Sequence, residues 1–372
     1  MGKTVKSGFT ITDSNILKGI AILLMLFHHL FNDYEEYAGF VVSYVPFSGD
    51  RLTALAITGK ICVSMFLFVT GYGIAAGYRK EFEGNLSDRV GLGRFIWKRW
   101  YKLMCGYWFA FFITLICQPL GRTISDAYGA GIKGIISYAI VDFFGLSWFF
   151  GTPTLNPTWW YMSVAIAAVV LLPIIMIGMD LFGTLTILAV VMLVVMLAGP
   201  ANGYTFYIFT GLLGTVAFRA GFFERMEKHM KKHPLVRTGM ICMSVLAMAL
   251  LLIIRGGGYN TFGVVEGLIA LAAACLVKSL ICLIPGVSKG LAFLGKYSAG
   301  MFLLHNQIYS FYFTALFYSV GHWLLILMLL AAVSLGVSIL VEWIKNKVQY
   351  LRWMNLLAQK GLSLIQNHAV SR

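Results

Sequence analysis

Residues Ile16 to Phe31 read ILKGIAILLMLFHHLF, an almost wholly apolar run with two adjacent histidines, His28 and His29, deep inside it. At a rise of ~1.5 Å per residue, Lys18 and His29 stand about 16 Å apart along a helix, roughly half of a ~30 Å hydrocarbon core. Steps of about 100° per residue bring Lys18, Ile22, Met25 and His29 onto one face and leave His28 off it. Burying an ionisable group at that depth costs free energy, so it is read first as functional. The competing reading is an interhelical hydrogen bond that fixes packing.

The remainder of the chain has the same character. Of its 372 residues 59% are hydrophobic and only 12% charged, and the mean hydropathy is +0.81. Soluble domains carry about 25% charged residues. The expectation is an all-α, polytopic integral membrane helix bundle. Ten spans are predicted, at about 16–34, 57–78, 103–119, 158–178, 183–199, 203–219, 239–254, 260–277, 294–317 and 322–344. Residues 134–150 are apolar but short and interrupted by Asp142, so they read as a re-entrant or interfacial helix. Residues 35–56 read as a wet loop. The first run has no small-residue cleavage site behind it and is expected to stay as a span.

Charge gives the orientation. With both termini placed in the cytoplasm, 24 of the 29 lysines and arginines fall in cytoplasmic segments, as the positive-inside rule requires. Residues 1–345 then form the transmembrane domain and 346–372 a basic cytoplasmic tail. The net charge of +14 does not point to nucleic acid, because it is spread over short loops and forms no basic domain. Cys62, Cys105, Cys117, Cys242, Cys275 and Cys282 lie in or beside apolar runs without CxxC spacing, so buried free thiols are expected rather than disulfides or metal ligands.

Several other stretches carry polar chemistry. Arg94-Phe95-Ile96-Trp97-Lys98-Arg99-Trp100-Tyr101-Lys102 is the densest basic cluster. Lys98, Arg99 and Lys102 occupy neighbouring helix positions suited to clamping phosphates, or to plain anchoring on anionic lipid. Lys18 either binds an anion or snorkels. Thr158-Trp159-Trp160-Tyr161-Met162-Ser163 reads as an aromatic belt or as a stacking platform for a sugar. Gly73 and Gly77 form a small-xxx-small pair for close helix packing. In Tyr297-Ser298-Ala299-Gly300-Met301-Phe302-Leu303-Leu304-His305-Asn306-Gln307, Ser298 and His305 share a face, and three successive polar residues must meet the bundle interior or a wet cavity. Asp142 and Glu266 are acids in apolar surroundings, either of which can orient a histidine.

Taken in order, these pieces resemble the membrane-bound acyltransferase-3 family, whose members O-acylate bacterial cell-surface carbohydrates. The resemblance runs from about residue 14 to 345. It rests on Lys18 followed by His29, Ser64 to Gly71, Phe95 to Lys102, Trp160 to Val164, and Tyr297-Ser298 with Leu304-His305. Two positions depart: Lys18 stands where arginine is usual, and Ala165 where many members carry glutamate. The resemblance implies an enzyme of the bacterial cytoplasmic membrane that takes acetyl-CoA or another acyl-CoA from the cytoplasm and acylates a surface or lipid-linked carbohydrate, without a metal. It implies His29 as general base with His28 and His305 beside it. Lys18, Lys98, Arg99 and Lys102 would hold the donor, and Trp159, Trp160, Ser163 and Ser298 the acceptor. Membrane lipids are the remaining partner. A transporter or flippase for a polar or lipid-linked solute also fits a bundle with mid-depth polar groups, although no internal repeat or pair of broken helices is visible. A scaffold or sensor with packing histidines is the third reading.

Overall fold

The computed structural model describes residues 8–82, 89–117, 123–129, 131–198, 203–258 and 263–370. Parts of several expected segments lie outside these: the ends of the spans drawn to 119 and 199, and the start of the one drawn from 260. Among the described residues the fold is all helix, with no β-strand.

Helix α1 is Ile11–Phe31, α2 Gly49–Thr58, α3 Cys62–Phe82, α4 Arg89–Cys117, α5 Ile124–Tyr128 and α6 Ile132–Phe143. There follow α7 Ser147–Phe150, α8 Trp160–Phe182, α9 Thr184–Ala198, α10 Gly203–Arg219, α11 Phe222–Lys232 and α12 Pro234–Gly256. The last five are α13 Val264–Ser279, α14 Pro285–Asn306, α15 Thr314–Tyr318, α16 Trp323–Lys347 and α17 Tyr350–Val370. Among the described residues, seven segments are long and apolar enough to cross a membrane, Ile11–Phe31, Gly49–Phe82, Gly91–Cys117, Pro157–Phe182, Pro234–Gly256, Val264–Leu283 and Trp323–Lys347. Helices α9 and α10 are apolar but shorter.

The structure corrects several boundaries. The span expected at 294–317 is not one helix: α14 starts at Pro285, ends at Asn306, and passes through a π-helical turn, Gln307–Tyr312, into α15. The wet loop holds α2, capped by Ser48, whose hydroxyl accepts from the Arg51 amide at 3.4 Å. The apolar stretch 134–150 is two short helices, α6 and α7, because the chain turns at Gly145 with φ of 68°, a conformation glycine adopts without a Cβ penalty. Cys242 is exposed rather than buried.

Contacts divide the chain into two units. The first comprises Met1–Ala21, Ile61–Ile96 and Ala167–Lys296. Helices α3 and α10 pack backbone to backbone. The small residue that permits this is Gly71, not the expected Gly73: a Cβ on Gly71 would meet the Gly211 backbone, while one on Gly73 would meet nothing within 4 Å. Gly71→Ala must therefore push two backbones apart, with an expected cost of about 1–3 kcal/mol in detergent unfolding. An unchanged midpoint would contradict the packing. Helix α12 in this unit leaves Leu246, Leu250 and Ile253 exposed, the pattern of a helix whose apolar surface is covered by lipid.

The second unit comprises Ile22–Lys60, Trp97–Ile166 and Tyr297–Arg372. Its core is aromatic. Tyr37 stacks on Tyr318 at 5.3 Å and Trp108 on Phe143 at 5.3 Å.

Candidate functional site: three histidines in the second unit

The last turn of a helix leaves carbonyls without partners. In α1 the His28 carbonyl accepts from the Asn32 amide at 2.9 Å, and the next two carbonyls are met by side chains. Tyr309, on the π-helical turn, donates its hydroxyl to the His29 carbonyl at 2.8 Å, and Tyr318 donates to the Leu30 carbonyl at 2.8 Å. Both tyrosines come from the far end of the chain and fix the end of α1 against it. π-Turns recur at functional sites, and here one follows directly after His305.

The three imidazoles form one cluster. The rings of His28 and His29 are 5.1 Å apart, and those of His29 and His305 are also 5.1 Å apart. Their surroundings differ. His28 places Nδ1 2.8 Å from the Ala56 carbonyl. His305 is fully buried and places Nδ1 2.8 Å from the Phe302 carbonyl one turn back. Only a donor can face a carbonyl oxygen, so in both the proton sits on Nδ1 and the lone pair on Nε2. The His305 Nε2 is buried without a partner. His29 is half-buried. Among the described residues neither of its ring nitrogens makes a hydrogen bond, and the Lys60 ammonium lies within electrostatic reach. One imidazole is thus held by its neighbours but not consumed by them.

A second network sits beside this cluster. Asp142 is buried, and its carboxylate accepts five hydrogen bonds, from the Tyr107, Tyr128, Ser147 and Thr154 hydroxyls and the Leu155 amide, at 2.8–3.1 Å. It orients no histidine; it shapes the loop that leads to α8. Fourteen residues after Asp142, Asn156 and Pro157 open a 3-10 turn before α8. The Asn156 Oδ1 accepts from the Thr158 amide and hydroxyl at 3.0 and 2.9 Å and from Asn306 Nδ2 at 3.1 Å. With its oxygen taken, the Asn156 Nδ2 is a buried donor without a partner. A buried donor left unmade costs about 1–3 kcal/mol, so the site suits a ligand oxygen or a water. Trp159 closes the same joint, its indole N–H donating to the Leu303 carbonyl at 2.9 Å.

The other expected residues are distributed as follows. Lys98 and Lys102 are exposed and Arg99 half-buried on α4. Trp159 is buried against Tyr107 at 5.0 Å, with its polar atom committed. Trp160 is half-buried against Trp148 at 5.5 Å. Ser163 is buried and donates to the Gly145 carbonyl at 2.7 Å, and Ser298 is buried. Lys18 belongs to the first unit, half-buried, with Nζ 3.5 Å from Asn15 Oδ1. Glu266, also in the first unit, accepts from Ser64 at 2.9 Å and pairs with Arg255 at 2.7 Å. Glu36 stands on the 3-10 turn Glu35–Tyr37 within electrostatic reach of Tyr309 and Tyr318. Crowding by the protein, and then the Asp33 charge, raise its carboxyl above the ordinary value. Among the described residues no group of three histidines, cysteines or acids could hold a metal ion.

A family model for an acyltransferase domain matches residues 11–343. The chain belongs to the acyltransferase-3 family. That match spans α1 through most of α16 and takes in the whole histidine cluster. No curated protein and no solved structure matches the chain. Family and apolar helices together make this acyltransferase-3 member a multi-pass membrane acyltransferase.

Two residues of the candidate site were not singled out for it from sequence. Asn156 reads only as a helix start, yet an asparagine whose oxygen caps a turn keeps two N–H donors in reserve. Tyr309 gives no local signal, since its partner is 280 residues away in the chain.

Proposed function

We propose that this acyltransferase moves an acyl group, acetyl by default, from cytoplasmic acyl-CoA to a hydroxyl of a cell-surface or exported carbohydrate, with His29 as general base. The observation that supports this reading is the His29 imidazole itself, half-buried and unconsumed beside two imidazoles whose Nδ1 atoms are spent on carbonyls. A neutral imidazole accepts the acceptor's hydroxyl proton as its oxygen attacks the thioester carbonyl. The carbon–sulfur bond breaks, and the imidazolium returns the proton to the departing sulfur, which leaves as the CoA thiol. The free donor on Asn156 serves an oxygen of the reacting groups, and His305 and His28 hold His29 in place. Lys98, Arg99 and Lys102 serve the phosphates of the donor, with Arg99 supplying fork geometry and the lysines point charges. Trp160 offers a half-buried indole to the sugar.

Purified protein given acetyl-CoA and a glycan acceptor should release CoA; a transporter or flippase would turn over none. Lys98→Ala combined with Arg99→Ala should raise the apparent KM for acyl-CoA on the order of ten-fold, equivalent to about 1.4 kcal/mol, and leave kcat nearly unchanged. An unaltered KM would remove the phosphate role from this cluster.

A further inference from the structure

The segment expected to be a basic tail is helix α17, and its described side chains sort into three faces. Met354, Ala358, Gly361 and Leu362 are half-buried against the bundle. The contacts are specific: the Tyr350 hydroxyl donates to the Cys105 carbonyl at 2.9 Å, the Tyr101 hydroxyl meets Met354 Sδ at 3.9 Å, and the Trp97 N–H donates to the Ala358 carbonyl at 3.2 Å. Gly361 lies under the Trp97 ring. A second face carries Arg352, Asn355, Gln359 and Ser363, all exposed and polar. The third face carries Trp353, Leu356, Leu357 and Lys360, spaced three and four apart and therefore aligned. Its apolar members are 63%, 47% and 54% exposed.

A helix that ends in water needs one apolar face, not two. The depth of α17 accounts for the second. Its docking partners on α4 belong to a group of rings, with Trp97 5.3 Å from Trp100 and 5.6 Å from Tyr101. Tryptophan and tyrosine gather where hydrocarbon meets headgroups. Lys98, Arg99 and Lys102 alternate with them, and Lys345 and Lys347 end the preceding span. A helix fixed to that belt has protein on one side, water on another and lipid on the third.

We propose that the Trp353–Leu356–Leu357–Lys360 face of α17 docks into a lipid surface, at the headgroup level of an anionic leaflet. The indole and the leucines enter the acyl boundary, and Lys360 extends its ammonium to lipid phosphate, as an interfacial helix does. The exposed Lys360 on the face and Lys347 at the end of α16 supply the positive charge that draws anionic lipid. The occupant is lipid, not a second copy of the chain, because α17 is held on the aromatic and basic belt of α4. This surface is independent of the acyl-transfer reading.

The test uses the full chain in nanodiscs, with Cys242→Ser to remove the exposed thiol. An environment-sensitive dye is attached at Leu357→Cys or at Gln359→Cys on the water face. In phosphatidylcholine with phosphatidylglycerol, the dye at 357 should emit further to the blue and be quenched by lipid spin-labelled near the headgroup, and the dye at 359 should show neither effect. In phosphatidylcholine alone the quenching at 357 should weaken, and Lys360→Glu should abolish that difference between bilayers. Water-like, unquenched emission at 357 would overturn the proposal. So would a blue shift without lipid quenching but with energy transfer between labelled copies, which would assign the face to a second chain.

Discussion

His29→Ala should lower acyl transfer by about 10²–10⁴-fold, the range a positioned general base contributes, while the protein inserts and elutes as the parent does. The size of the effect follows from the site. His28 and His305 have spent one nitrogen on a carbonyl each, at 2.8 Å in both cases, and His305 is fully enclosed. The enclosed His305 cannot take over, and His28, pinned through Nδ1 to the Ala56 carbonyl, is expected to support His29 rather than replace it. His28→Ala should therefore act mainly by loosening α2, whose Ala56 carbonyl keeps the Gly59 amide but loses the imidazole, with a smaller loss in rate. Side-by-side turnover assays on the two variants check the order. Equal losses would mean that the pair works as packing rather than as one base and one support.

Asp142→Ala is expected to have the largest effect on stability. The carboxylate is 1% exposed and gathers four hydroxyls and an amide. Its removal strands several buried donors at once, each at about 1–3 kcal/mol before relaxation. A net loss above about 3 kcal/mol is expected in unfolding by denaturing detergent, placing the variant among the severe substitutions. Activity should fall as well, because the loop from Thr154 to Asn156 hangs on this carboxylate and presents the free Asn156 donor. Asp142→Asn keeps the shape and one acceptor oxygen, so it should fold better than the alanine variant yet remain below the parent. A melting curve for Asp142→Ala superimposable on the parent's would show that the network contributes no stability.

The sequence carried the membrane class, the two ends of the histidine cluster and the family, each for a physical reason. Hydropathy reports burial in lipid directly, and histidines at 28, 29 and 305 stand out because so little else in those runs is polar. Helix boundaries near α14 were not legible. The π-turn at Gln307–Tyr312 carries Tyr309 to the His29 carbonyl, and Tyr318 beyond it reaches the Leu30 carbonyl; no local pattern encodes bonds between residues so distant in the chain. The same reason hid the partners of the buried acids. Asp142 reads as an intruder in an apolar stretch, and only folding shows the hydroxyls that surround it. Glu266 finds Ser64 and Arg255. Gly73 and Gly71 are indistinguishable by spacing alone; the approach of the Gly211 backbone chooses between them. α17 was hidden by its charges, since a count of basic residues does not see three helix faces.

The central claim is that one imidazole joins an acyl donor on one side of the membrane to a carbohydrate hydroxyl on the other. Mass spectrometry of surface glycans tests it most directly, comparing cells that carry the parent chain, no chain, and an equal amount of the His29→Ala chain. The account predicts added acyl mass with the parent only. Glycans from His29→Ala cells as fully acylated as those of the parent would contradict it.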